Sequence, residues 1–288
     1  MQPGILADVP AHARFLTFQL RPDADPRPAL RWLAGTWRPD LVVGVGVPLV
    51  AAVGGHVRGL RLFPSLTAVG IPVPATPAAL WVRVEGPDPG ALFLRGRGVV
   101  EGLSSAFYLE DGVDGYRHDI GRDLSGYEDG TENPTGDDAV AAAVVTGVGD
   151  GVDGGSFLAV QRWRHDFRAY ERMTQDQRDD CIGRRQSDNE ELEEAPISAH
   201  VKRTAQESFD PESFVVRRSM PWHDAHGGGL VFLAFGASLD PFEWQLRRMV
   251  GEEDGVTDAL FRFTRPETGA YYFCPPVRDG LDLRAVMG

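Results

Sequence analysis

Residues 126–134 read GYEDGTENP. Two glycines, a proline, three carboxylates and an amide fall within nine residues. Asp-Gly and Asn-Pro both favour tight turns, so this stretch is an irregular connection rather than part of a helix or strand. It divides the chain. Upstream, FLTFQL at 15–20 and ALWVRV at 79–84 alternate like strands, and further strands are expected at 103–109 and 115–120. Pro28 opens a helix over 28–36 with Leu30, Leu33 and Ala34 on one face, and a second helix spans 88–101.

Downstream, the small, acidic, glycine-rich segment 135–155 reads as a linker containing one short apolar strand. The pattern then restarts. FLAVQRW at 157–163 is a strand, and 166–182 holds two short helices split at Thr174, a good N-cap. Residues 214–218 and 230–238 are strands, and Asp240-Pro241 opens a helix closed by Gly251. Short strands interleaved with helices specify an α+β fold in two halves, 1–145 and 155–288.

The composition narrows the function. The 288 residues carry 42 acidic against 29 basic side chains, a net charge of −13. That balance argues against a nucleic-acid partner, which needs a basic face. Cys181 and Cys274 form neither a CxxC pair nor a disulfide framework. The opening MQPGILADVPAHARFLTFQL lacks the basic region and continuous apolar core of a secretion signal. The longest apolar run, LVVGVGVPLVAAVGG at 41–55, is broken by glycines and Pro48. A cytoplasmic protein with no membrane partner is expected.

Several side chains could carry chemistry, each with an ordinary alternative. Asp129 sits in the turn and could simply shape it. His200 follows EEAPISA and could be a surface histidine. Arg217 and Arg218 alternate across FVVRR, so one faces inward, where a guanidinium needs an anion or polar partner. Asp258 in GVTDALFRF could be a helix N-cap. His223 and His226 lie in a glycine-rich loop without a cysteine partner, a poor metal clamp.

Taken in order, these stretches are less generic. GYEDGTENP, GGSFLAVQRWRHD at 154–166, IGRRQSDNEEL at 182–192, SAHVKR at 198–203, VVRRSMP at 215–221 and DGVTDALFRFTRPETGAYYF at 254–273 resemble the dye-decolorizing peroxidases, within them the bacterial B-type branch. The likeness covers most of the chain from about residue 100 onward. It implies two ferredoxin-like domains with antiparallel sheets and one haem b, mainly in the C-terminal domain.

Carried over residue by residue, His200 looks like the proximal ligand of the haem iron. Asp258 looks like the carboxylate that accepts its other ring N–H, fixing the tautomer and raising its basicity. Asp129 and Arg217 correspond to the distal pair. A carboxylate there can shuttle the peroxide proton, and a fixed guanidinium can stabilise charge on the breaking O–O bond. Arg217 is expected to contribute more. A carboxylate's reference pKa of about 3.9 implies an acidic optimum.

The resemblance also implies that Arg203, unless simply solvent-exposed, pairs with a haem propionate, that Ser219 is a distal polar group, and that Glu132 and Asn133 line the haem edge or its access channel. Phe232, Phe235, Leu260 and Phe261 are candidates for packing the haem, with an ordinary apolar core as the equal alternative. Trp163, Trp222, Trp244 and Tyr170 could pass electrons to bulky substrates. The implied reaction uses hydrogen peroxide to oxidise dyes, phenols or other small or aromatic reductants through a ferryl intermediate, in a homo-oligomer. PWHDAHGGG departs from the family's usual Pro-Tyr-Gly or Pro-Phe-Gly after the arginine, and RDGLDLRAVMG offers no clear tail for loading into an encapsulin shell. The alternatives are haem binding or haem-iron handling, which needs His200 but not the distal pair, and a haem-free binding module. GYEDG points away from chlorite dismutation.

Overall fold

The computed structural model describes residues 1–287. Eight strands carry the fold: β1 (His12–Leu20), β2 (Leu41–Val45), β3 (Leu80–Gly86), β4 (Phe107–Tyr116), β5 (Ser156–His165), β6 (Met220–Asp224), β7 (Gly227–Gly236) and β8 (Ala270–Cys274). They are neighbours in the order β5-β8-β2-β3-β1-β4-β6-β7, and β7 pairs again with β5. The sheet therefore closes into an antiparallel barrel. The short strands Val216–Arg217 and Thr264–Pro266 add to β7 and β5 from outside the ring.

Each half contributes four neighbouring strands, β2-β3-β1-β4 and β6-β7-β5-β8. Pairing within a half is long: β1 and β3 match over seven positions, from His12 opposite Gly86 to Phe18 opposite Leu80. The halves meet through one residue pair at each seam, Val45 with Phe273 and Gly115 with Trp222. Gln2 reinforces the first seam. Its Nε2 donates to the carbonyls of Val43 and Pro275 at 2.8 and 3.0 Å, and its Oε1 accepts the Val43 amide at 2.7 Å.

Alternation along the strands sorts side chains between two cores. Phe15, Trp81, Leu158, Val231, Leu233, Phe235 and Tyr272 point into the barrel. Leu16, Phe18, Val43, Val82, Trp163 and Phe273 face out and are covered by helices. Helix α1 (Arg27–Thr36) buries Ala29, Leu30 and Leu33. Helix α2 (Pro89–Leu103) starts where Asp88 accepts the Ala91 amide at 2.6 Å. Helix α3 (Asp240–Met249) has a proline in its first turn and buries Phe242, Gln245, Leu246 and Met249, a spacing that puts all four on one face.

Two expectations are corrected. Residues 103–109 and 115–120 are not two strands: one strand, β4, runs unbroken from Phe107 to Tyr116 through Asp111-Gly112 and Asp114-Gly115. Its long ladder with β1, with an irregularity between Thr17 and Phe18, outweighs the turn-forming residues. Within 135–155 the apolar piece is a helix, Gly136–Ala143, not a strand. Asp137 and Asp138 sit in its first turn, where the helix dipole favours them, and alanines follow. Among the described residues no helix is long and apolar enough to cross a membrane.

Candidate active site

The inner face of α3 does not pack fully against the sheet. Phe242, Gln245, Leu246 and Met249 form one wall of a cavity of about 910 Å³. The outward faces of β5 and β7 form another through Gln161, Trp163, His165, Leu230 and Phe232. His200, Asp129 and Arg217, far apart in sequence, all line this one space.

His200 begins a single helical turn, His200–Arg203. Its Nδ1 lies 2.7 Å from Asp258 Oδ2, and Asp258 Oδ1 accepts the Leu260 amide at 2.8 Å. Asp258 is 1% exposed. It is thus both the cap of the short helix Ala259–Arg262 and the partner of His200. With Nδ1–H donated, the Nε2 lone pair is left for a ligand in the cavity.

The GYEDGTENP stretch is fixed by bonds to both sides of the site. Gly126 and Gly130 adopt φ of 89° and 81°, where a side chain is strained. A Cβ on Gly130 would sit 2.8 Å from Asn133 Nδ2. Asn133 in turn clamps the arginine strand: its Nδ2 donates to the Arg217 carbonyl at 3.0 Å and its Oδ1 accepts the Arg217 amide at 2.8 Å. Gln206, just past the His200 turn, donates to the Glu132 carbonyl at 2.8 Å.

Arg217 Nη1 lies 3.9 Å from Asp129 Oδ1, too long for a hydrogen bond but short enough for charge to be felt. Arg217 Nε is buried without a partner. A buried guanidinium nitrogen left unpaired calls for an acceptor from outside the protein. Arg218 points elsewhere, donating to the carbonyls of Leu6, Ala7 and Arg217.

Of the other expected residues, Phe232 and Leu260 line the cavity. Ser219 lines a second opening of about 760 Å³, which shares Asp129, Arg217, Asp123 and Leu230 with the first. Its hydroxyl accepts the Leu233 amide at 3.4 Å. Several other expected residues lie off the cavity. Phe261 tilts against Trp163 with ring centroids 5.5 Å apart, behind the wall. Phe235 belongs to the barrel core. Glu132 pairs with Arg184. Arg203, 3% exposed, grips Asp254 through two 2.8 Å bonds and caps the Arg248 carbonyl, leaving its buried Nε without a partner. Trp222 is buried, its indole donating to the Trp163 carbonyl at 3.0 Å. His223 Nδ1 faces Tyr116 Oη at 3.1 Å. Among the described residues no group of three or more His, Cys, Asp or Glu side chains could hold a metal ion.

One pair in the wall escaped the sequence reading. His165 Nε2 lies 3.0 Å from Asp123 Oδ1, and its Nδ1 lies 2.8 Å from Thr264 Oγ1. Burial alone would raise the Asp123 carboxyl. Bonds from His165 and from the Ser125 hydroxyl and amide outweigh it and hold the group below the usual carboxylate range. Alternation could have found His165, which shares a strand face with Gln161 and Trp163.

Residues 121–279, more than half the chain and containing every one of these cavity-lining groups, match the family model described as Dyp-type peroxidase, C-terminal. The chain belongs to this family. A dye-decolorizing peroxidase of Mycobacterium tuberculosis is 30% identical over 236 residues, covering 80% of this chain and 70% of the relative. The solved dye-decolorizing protein from Vibrio cholerae superposes with a TM-score of 0.86 at 28% identity, covering 96% of this chain and 97% of its own. A variant of DypB from Rhodococcus jostii RHA1, solved in complex with heme, gives 0.87 at 27% identity over 95% of each chain. The chain is a peroxidase, an oxidoreductase by class.

Proposed function

We propose that the cavity holds haem b on His200 and that Asp129 and Arg217 activate hydrogen peroxide at its other face. The observation that carries this reading is one apolar cavity lined by both a carboxylate-bonded imidazole and a guanidinium with a buried, unpaired nitrogen. The residues fit the group. Aromatic and aliphatic walls suit a flat macrocycle, and the free Nε2 of His200 suits its iron. When bound, haem supplies an iron that reacts with peroxide and accepts its two oxidising equivalents.

The chain's own groups do the rest. Asp258 fixes the His200 tautomer and raises its basicity. Asp129 takes a proton from incoming hydrogen peroxide at a carboxylate oxygen and returns it to the oxygen that leaves as water. The gap of 3.9 Å between Asp129 and Arg217 is wide enough for one bridging water. Arg217, fixed at its backbone by Asn133, meets the charge that develops as the O–O bond breaks. Dyes, phenols and other small reductants then return the electrons.

The cavity takes Asp123, Ser125, Tyr127, Glu128 and Asp129 from the first half of the chain and the rest of its lining from the second. We infer that 1–145 and 155–288 are ferredoxin-like units. Support comes from each half's order of strand, helix, strand, strand, helix, strand, from its sheet order, and from the single-pair seams.

Absorption spectra test the site. The purified protein is expected to show a Soret band that responds to stoichiometric peroxide. His200→Ala should abolish haem retention, whereas Asp129→Ala and Arg217→Ala should retain haem and react slowly. Unchanged peroxide reactivity in both would overturn the distal assignment and favour haem handling.

A further inference from the structure

The barrel interior is filled at one end only. There the N-terminal residues act as a plug: the Gly4 carbonyl accepts Arg83 Nη2 at 2.6 Å, and Gln2 ties Val43 to Pro275. Two residues before Arg83 on β3, Trp81 belongs to a different environment. Together with Phe15 and Tyr272 it walls a cavity of about 870 Å³. The other inward positions at this end are small, among them Thr17, Val113, Val160, Val231 and Ala270. An eight-stranded barrel is just wide enough for side chains to fill it, or to hold one small ligand when they do not.

This space is distinct from the site of His200, for no residue lines both. The two lie back to back across a single sheet. Val160 and Arg162 of β5 face the barrel cavity, and Gln161 and Trp163 face the other. On β7, Val231 faces the barrel and Leu230 and Phe232 face away.

We propose that the barrel cavity is a binding site for an uncharged aromatic molecule bearing a hydroxyl or carbonyl oxygen. Trp81 and Tyr272 line this cavity and are each 1% exposed; their indole N–H and phenol oxygen are not sealed away without a partner but open onto the space inside. An indole N–H can only donate, so the guest that suits it carries an acceptor, which a cation lacks. Anions are disfavoured by the mouth. Glu110 and Asp111 stand there, and the one guanidinium, Arg162, is already taken by Asp111 at 2.7 Å and Glu267 at 2.8 Å. Glu110 also helps keep the Tyr272 phenol protonated, its pKa raised first by burial and then by that carboxylate. Phe15, Trp81 and Tyr272 stand in a stacked row, with centroids 6.0 and 6.2 Å apart, and offer a ring its apolar surface.

The inference does not rest on the haem reading, and its test reads the two cavities separately. Trp81 lines one and Trp163 the other. The holoprotein is labelled with 5-fluorotryptophan, and its six indoles are assigned by Trp→Phe variants. It is then titrated with 2-naphthol and with naphthalene-2-sulfonate, without peroxide. The Trp81 fluorine resonance should move saturably with 2-naphthol and not with the sulfonate, while Trp163 stays in place. Tyr272→Phe should weaken 2-naphthol about fivefold, the worth of one hydrogen bond. Val231→Leu, which keeps the core apolar, should weaken it by filling space and serves should Tyr272→Phe not fold. A Trp81 resonance that stays fixed at millimolar 2-naphthol, moves equally with the sulfonate, or is indifferent to the variants overturns the proposal.

Discussion

Asp258 holds His200 from behind, with Oδ2 at 2.7 Å from Nδ1 and Oδ1 pinned by the Leu260 amide at 2.8 Å. The carboxylate cannot swing without breaking the turn that it caps. Asp258→Asn should therefore lower haem affinity or peroxidase activity by about 10- to 100-fold, because it removes the negative charge that makes the imidazole basic. Haem titration and the ferric–ferrous midpoint potential check this; the potential should rise.

The distal pair divides the work. Arg217→Ala should slow the reaction with peroxide by about 10²–10³-fold, the scale of a lost preorganised charge donor. Asp129→Ala should slow it by at least about 10²-fold through loss of proton transfer. Stopped-flow mixing with peroxide separates them.

Asn133 touches Arg217 only through the backbone, at 3.0 and 2.8 Å. Asn133→Ala should thus leave haem content intact and lower peroxide reactivity by roughly tenfold, since a misplaced guanidinium loses much of its effect. Lowered haem content instead would mark Asn133 as merely structural.

Asp123 sets an acid limit. Its folded pKa is depressed below the ordinary 3.8, so its contribution to stability is fully present above that pH and lost as pH falls through the lower folded value. Asp123→Asn should lower the neutral Tm by roughly 5 °C, corresponding to one or two hydrogen bonds to a charged group. Once the pH has fallen through that lower folded value, the two proteins should converge. Calorimetry across pH 2–7, by order of magnitude the range of carboxyl titration, measures it.

Arg203 offers a contrast with the sequence expectation. Arg203→Ala removes the partner of Asp254 and the cap on the Arg248 carbonyl. It should lower Tm while leaving the Soret maximum and peroxide reactivity unchanged.

What could be read from the chain follows from how local each signal was. The α3 helix announced itself through Asp240-Pro241 at its start and Gly251 just past its end. His200 and Asp258, 58 residues apart, were legible only as motifs in order, because no local rule says which carboxylate reaches which imidazole. Asp129 was locally ambiguous: turn geometry and a catalytic carboxylate demand the same residues. Arg203 lies three residues past His200, almost one helical turn, but it is Thr204, four residues on, that shares the cavity. Barrel closure left no trace in any one segment, since each seam is a single residue pair.

Those seams also govern how the chain is made. The strand Ala270–Cys274 sits between Ser156–His165 and Leu41–Val45, so the ring cannot shut until residues near the C-terminus have left the ribosome. Until then Leu41–Val45, buried along its whole length in the finished protein, is an open apolar edge. Synthesis therefore carries an interval of exposure to aggregation and chaperones that ends with the arrival of one five-residue strand.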